Sequence, residues 1–302
     1  MSEAVIYERD GAVARITLNR PERGNGINRD LLEELAEAVE KADLDPQAKV
    51  LLLAGAGSGF CGGYDLVEAA ERMAGREAPP KRELGSPIDP AVMAANHNPA
   101  AVWDPMTDYA MMSRNVKTFM KLFECGKPIV CKVHGFCVAG GTDMALCSDL
   151  LVIADDAKIG YPPARVWGSP TTALWAHRIG PQRAKRLLFT GDSLSGAEAA
   201  EWGLAIEAPP AAELDERTEV LVQRIARMPL NQLMMMKLLV NQTIETQGLR
   251  NTQTLGIIFD GITRHTVEGY AFQEKAYTDG YREAVRERDE PFGDHGLSTF
   301  KG

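Results

Sequence analysis

The chain has little of what would direct it to a membrane, a nucleic acid or an oxidising compartment. No apolar run approaches the roughly 20 residues that a membrane helix needs. Positive charge is in deficit: 33 lysines and arginines face 42 aspartates and glutamates, a formal charge of -9. Nucleic acid or an anionic membrane surface would therefore repel the chain at long range, and neither is expected as a partner. The five cysteines, Cys61, Cys125, Cys131, Cys137 and Cys147, are odd in number and include no close Cys-x-x-Cys pair, so reduced thiols in a cytoplasmic setting, with no metal site, are expected. The opening "MSEAVIYERDGAVARITLNR" carries acids early and no uninterrupted apolar region, unlike a secretory signal or an Arg-rich transit peptide.

What remains is an ordinary globular composition: 302 residues, 45% hydrophobic and 25% charged, enough for one large core. "AVIYERDGAVARITLNR" predicts two short strands around a turn at Asp10-Gly11. "NRDLLEELAEAVEKAD" predicts a helix capped by Asn28, with Leu31, Leu32, Leu35 and Val39 at helical spacing. "KVLLLAGAG" reads as a buried strand running into glycines. The order recurs in "KPIVCKVHG", a Gly-rich turn and the apolar "DMALCSDLLVIA", read as a helix. Strand, glycine loop and helix twice over predict an α/β core of repeated units. Residues 68–105, rich in proline, read as an exposed excursion or lid, or a disordered loop. The division expected is a core over 1–208 and a helical region over 209–302.

Gly140 and Gly141 follow a predicted strand and open a predicted helix, so their N–H groups lack intrahelical acceptors and can bind an anion. A glycine pair there is also the signature of a tight corner. A second turn matches it: "GFCGGYDL" follows an apolar strand, carries paired glycines and leads toward a helix, so two N–H groups could be aimed at one oxygen.

With those turns in view, the chain resembles the crotonase superfamily, the enoyl-CoA hydratase/isomerase family, over nearly its whole length. The matching segments are "ITLNRPERGNGIN", "GFCGGYDL", "GKPIVCKVHGFCVAGGTDMALCSDLLVIADDAKIGYP", "RIGPQRAKRLLFTGDSLSGAEAAEWGLA" and "DGYREAVRERDEPFGD". The resemblance implies a spiral of β-β-α units followed by a helical region, trimers or dimers of trimers, and an acyl-CoA substrate, with coenzyme A arriving as part of that substrate and no separate cofactor. It implies oxyanion donors at the backbone N–H groups of Tyr64 and Gly140, and coenzyme A contacts from Arg23, Gly24, Asn25, Gly62, Gly63 and Asp65, the last with a helix-capping role. His134 is expected to fix the backbone of its turn, and Trp167 and Trp175 either line the acyl site or pack. "DPMTDYAMMSRNVKTFMKLF" is expected to lay a helix over that site.

The chain departs from the family pattern at both acids that hold water in typical hydratases of the family. Asp143 stands at the first, shorter by one methylene and so set back by about 1.5 Å. Pro163, in "YPPARVWGSP", stands at the second, where no proton can be exchanged. Tyr161 and Arg165 are the nearest polar candidates for an accessory role, or pack structurally. The expected activity is enoyl-CoA hydration with Asp143 as acid/base; a thioester hydrolase, isomerase, decarboxylase or weakly catalytic acyl-CoA binder remain alternatives.

Overall fold

The computed structural model describes residues 3–68, 85–98 and 101–293. Strand β1 (Val5–Asp10) turns at Asp10-Gly11 into antiparallel β2 (Val13–Leu18), with Asp10 opposite Val13, as the alternation predicts. Helix α1 (Arg29–Leu44) starts where Asn28 accepts the Leu31 N–H at 2.9 Å, and it buries Leu31, Leu35 and Val39. The crossover delivers β3 (Val50–Gly55) parallel to β2, and Val50 to Leu53 are all buried. A short helix α2 (Pro90–Asn96) and a long one, α3 (Pro105–Glu124), precede β4 (Ile129–Val133), parallel to β3. Nearly half of the predicted proline-rich excursion, residues 69–84 and 99–100, lies outside the described residues; the described part carries α2.

Beyond β4 the elements are short. Strand β5 (Phe136–Val138) leads into α4 (Gly140–Leu146), β6 (Leu150–Ile153), β7 (Lys158–Gly160), helix α5 (Trp175–Thr190), β8 (Ser193–Ser195) and α6 (Gly196–Glu201). Here the sequence reading needs correcting: the apolar "DMALCSDLLVIA" is not one helix but the end of α4 followed by β6. Its apolarity is continuous because helix and parallel strand are both buried, and periodicity cannot separate them. Strands order as β1-β2-β3-β4-β6 in one sheet and β5-β7-β8 in a second, each with a parallel part and one antiparallel edge pair. The arrangement is the mixed α/β spiral with a helical C-terminal region that the sequence predicts.

From residue 211 onward the chain is helical: α7 (Leu214–Ala226), α8 (Leu230–Thr246), α9 (Leu249–Arg264), α10 (Val267–Thr278) and α11 (Tyr281–Asp289). Helix α7 packs on the first sheet, where Arg15 pairs with Glu219 at 3.0 Å and Lys132 with Asp215. Helix α8 inverts the usual pattern. Its one buried residue is Lys237, whose ammonium reaches the carbonyls of Leu122 and Lys127 and the Asp149 carboxylate, while Met234, Met235, Met236, Leu238, Leu239 and Val240 are exposed. No helix among the described residues is long and apolar enough to cross a membrane.

Candidate active site

The two glycine turns meet. The backbones at Cys61 and Cys137 pair as an isolated parallel β-bridge, both thiols being free, the Val138 N–H donates to the Cys61 carbonyl at 3.0 Å, and the Ala139 N–H donates to the Gly160 carbonyl at 3.1 Å. Gly63 has φ +96, and a Cβ there would stand 2.7 Å from the Ala139 Cβ and 3.5 Å from the Gly140 nitrogen. A Cβ at Gly140 would lie 2.9 Å from the Tyr64 ring, so both close approaches require glycine. Ala139, the residue before α4, is held at φ 55 and ψ -129, a conformation that costs an alanine about 1–3 kcal/mol and persists only where the surroundings enforce it. Among the described residues, neither the Tyr64 N–H nor the Gly140 N–H donates to a protein acceptor. Both residues line a pocket of about 1460 Å³.

Asp143, one turn into α4, is 1% exposed and is not on the pocket surface. Its Oδ1 accepts the Thr172 N–H at 3.1 Å and hydroxyl at 2.8 Å, and its Oδ2 has no protein partner. Burial pushes its carboxyl up to about 7, against the lowering effect of the two Thr172 bonds and with a further raising effect from Asp260. In front of it Tyr64 and Tyr161 line the pocket, and burial followed by the Asp143 charge holds both phenols well above their ordinary range.

The other predicted residues divide between pocket and scaffold. Arg23, Gly62 and Asp65 line the pocket. Asp65 also takes the Arg20 guanidinium at 2.9 Å and caps the following turn through the Glu68 N–H, as the capping expectation has it. Asn25 is fully buried, and its side chain is committed to the Arg20 N–H and to the carbonyls of Ala56 and Gly59, so it builds the loop. Gly24 and Gly63 are outside the lining; Gly24 accepts the Gly62 N–H, which ties this loop to the first glycine turn. Tyr161 donates its hydroxyl to the Ser169 carbonyl at 2.7 Å. Arg165 faces away: it donates to Thr190, pairs with Asp289 and Asp192 and lies 4.2 Å over the Phe292 ring, so its charge is spent on anchoring the end of α11. Pro163, Trp167, Met111 and Met112 line the pocket, whereas Trp175 is in the core. His134 bonds the Gly57 carbonyl at 2.8 Å, a backbone-fixing contact.

Sequence reasoning missed the wall contributed by the C-terminal helices. Asp260 and Arg264, an i,i+4 pair on α9, line the pocket with His97 and Gln273. Behind them Asp108 of α3 receives the Arg264 guanidinium at 2.8 Å, the Trp103 indole N–H at 2.6 Å, the Asn96 amide at 3.1 Å and the His265 ring at 3.0 Å. Burial pushes the Asp108 carboxyl up, but Arg264 and the donated hydrogen bonds outweigh it and hold it below the ordinary carboxylate range. Burial lowers the His97 and His265 rings below the ordinary imidazole range, against the raising effect of Asp108.

Comparison with known proteins places this geometry in context. The sequence matches the family described as Enoyl-CoA hydratase/isomerase over residues 8–90 and 100–278. It is similar to 1,2-epoxyphenylacetyl-CoA isomerase of Escherichia coli, 28% identical over 82% of this chain and 87% of that one, and to crotonyl-CoA hydratase of Syntrophomonas wolfei, 27% identical over 74% and 75%. The fold superimposes on the crystal structure of an enoyl-CoA hydratase from Mycobacterium smegmatis with a TM-score of 0.91, at 54% identity over 99% of this chain and 97% of that one.

Proposed function

The chain belongs to the enoyl-CoA hydratase/isomerase family, and from that premise we propose that it adds water to a 2-enoyl-CoA thioester through an enolate held by the Tyr64 and Gly140 N–H groups. The observation that carries this reading is the pair of unengaged N–H groups on two touching turns that open on one pocket. Donors fixed by backbone need no reorganisation as charge moves onto the thioester oxygen, and one such donor is worth about 3–4 kcal/mol of transition-state stabilisation. Arg23, Gly62 and Asp65 are assigned to the coenzyme A end, and Met111, Met112 and Trp167 to the acyl end, where methionine adapts to chain shape. Asp143 is assigned the neutral form: an ionised carboxylate one turn from Gly140 would oppose the developing oxyanion.

The exposed apolar faces of α8 and α9, the latter carrying Leu255, Ile258, Phe259 and Ile262, are assigned to contacts between copies in a trimer or dimer of trimers. Sedimentation checks this: a species of one chain mass at micromolar concentration would contradict it. The activity is tested by the loss of the conjugated-thioester ultraviolet band from short and long 2-enoyl-CoA esters. Loss of the band without thiol release supports hydration; thiol release instead assigns a hydrolase.

A further inference from the structure

Asp143 does not reach the pocket surface, and Pro163 lines it without an ionisable group. Four acids of the C-terminal helical region line it, Asp260, Asp279, Glu283 and Asp289. Asp279 pairs with Lys275, Glu283 with Arg286, and Asp289 with Arg165 and Arg288, whereas Asp260 bonds the loop that also holds Asp143. Asp260 is 5% exposed, its Oδ1 accepts the Ser169 N–H at 3.4 Å, and its Oδ2 pairs with the Arg264 guanidinium one turn on. A single loop links this carboxylate to Asp143. Ser169 bonds Asp260, Thr172 bonds Asp143 twice, Tyr161 donates to the Ser169 carbonyl, and Gln253 of α9 donates to the Thr172 carbonyl at 3.1 Å.

The groups facing Asp260 narrow its role. Arg264 is shared with Asp108, so two carboxylates meet one guanidinium, with the His97 and His265 rings beside them. Such a cluster does not receive an anion. Asp260 lines the same pocket as Tyr64, Gly140 and Tyr161. Resting on the hydration reading, we infer that Asp260 is the catalytic base of this site, the carboxylate that meets the reacting water in place of the acid missing at Pro163, with Asp143 a positioning residue behind it.

The step balances without another reactant. Asp260 takes a proton from water as the water oxygen bonds C3 of the enoyl group. The C2=C3 electron pair moves to C1–C2, and the thioester oxygen carries the charge on the Tyr64 and Gly140 N–H groups. As the enolate collapses, the Asp260 carboxyl returns its proton to C2. One water is added, and both acids regain their starting forms.

The test compares wild type with Asp260→Asn in the full-length protein, reading hydration of a 2-enoyl-CoA, exchange of the C2 protons of a saturated acyl-CoA in D2O, and the dissociation constant of that saturated ester. Exchange needs only a base and a stabilised enolate, so it reports on Asp260 even where hydration is absent. The expected result is a 10²–10⁴-fold loss of kcat or of exchange rate with binding changed less than about threefold. The alkaline limb of the residual profile should also move to lower pH, because burial alone, without the added Asp260 charge, then raises the Asp143 carboxyl. Asp260→Glu keeps the ion pair but moves the carboxylate by one methylene, and it is the decisive variant if Asp260→Asn loses its fold; at least a tenfold loss with unchanged binding is expected. Retention of either rate within threefold in the folded variant overturns the assignment. Hydration absent but exchange present and abolished by Asp260→Asn rejects the hydratase reading while supporting the base. Neither reaction in wild type rejects both.

Discussion

The pocket has two walls built by different means. On one side stand the glycine turns around Tyr64 and Gly140, held to each other by backbone hydrogen bonds and by the absence of Cβ atoms. On the other stands a wall of α2, α3 and α9, held by the side chains of Asp108, Arg264 and Asp260. The first wall has its geometry fixed by local conformation, and its chemistry is a pair of dipoles that never titrate. The second has its geometry fixed by ion pairs between distant segments, and its proposed chemistry is the movement of protons. The proposed reaction would divide the work accordingly: charge stabilisation on rigid backbone, acid–base chemistry on side chains that a change of partner can retune.

The comparison is most severely stressed at Asp108. Asp108→Ala removes the acceptor that Arg264, Trp103, Asn96 and His265 share and leaves a buried guanidinium with Asp260 alone, so a loss of about 3–5 kcal/mol in unfolding free energy is expected in chemical denaturation. A loss below about 1 kcal/mol would mean that the helical wall is not one unit. Gly63→Ala addresses the backbone wall. The added methyl meets the Ala139 Cβ at a backbone angle that L residues avoid, and displacing one donor should lower kcat by about 10²–10³-fold, with acyl-CoA affinity less affected.

A smaller effect lies in the pH dependence contributed by Asp143. Its folded carboxyl is raised to about 7 while the unfolded chain ionises near 3.9, so the folded state holds an extra proton between those values. Its contribution to stability is therefore full below about pH 4, declines as pH rises toward 7 and is flat above. Denaturation midpoints for wild type and Asp143→Asn should diverge in slope across that window. Turnover by wild type should fall as pH passes through about 7, and that limb should be missing in Asp143→Asn; an identical limb in the variant would assign it to another group.

Legibility in the sequence follows the same division. The two glycine turns could be found because a strand, paired glycines and a following helix lie within a dozen residues, and because Asn28 and Asp65 act on neighbours three residues on in the chain. The helical wall was not found because His97, Asp108 and Asp260 meet only through packing of helices, which leaves no spacing to read. The one local hint was the Asp260-to-Arg264 offset of four on an amphipathic stretch, a pattern equally typical of solvated helix surfaces. Arg165 failed as an accessory candidate for a related reason: proximity in sequence to Pro163 carried no information about Asp192 and Asp289, which claim its guanidinium. Asp143 was expected to be set back by its missing methylene; the structure shows it 1% exposed and off the pocket lining, with its Oδ1 taken by Thr172, a partner that no spacing announces.

The central claim is that the backbone wall polarises the thioester carbonyl independently of the proton-transfer wall. It is tested most directly by the infrared carbonyl stretch of an acyl-CoA labelled with carbon-13 at C1, bound to wild type, Gly63→Ala and Asp260→Asn. The account predicts a shift to lower frequency on binding to wild type, an equal shift with Asp260→Asn and a loss of most of it with Gly63→Ala. A bound carbonyl that absorbs where it does in water, or one whose shift vanishes with Asp260→Asn, would contradict it.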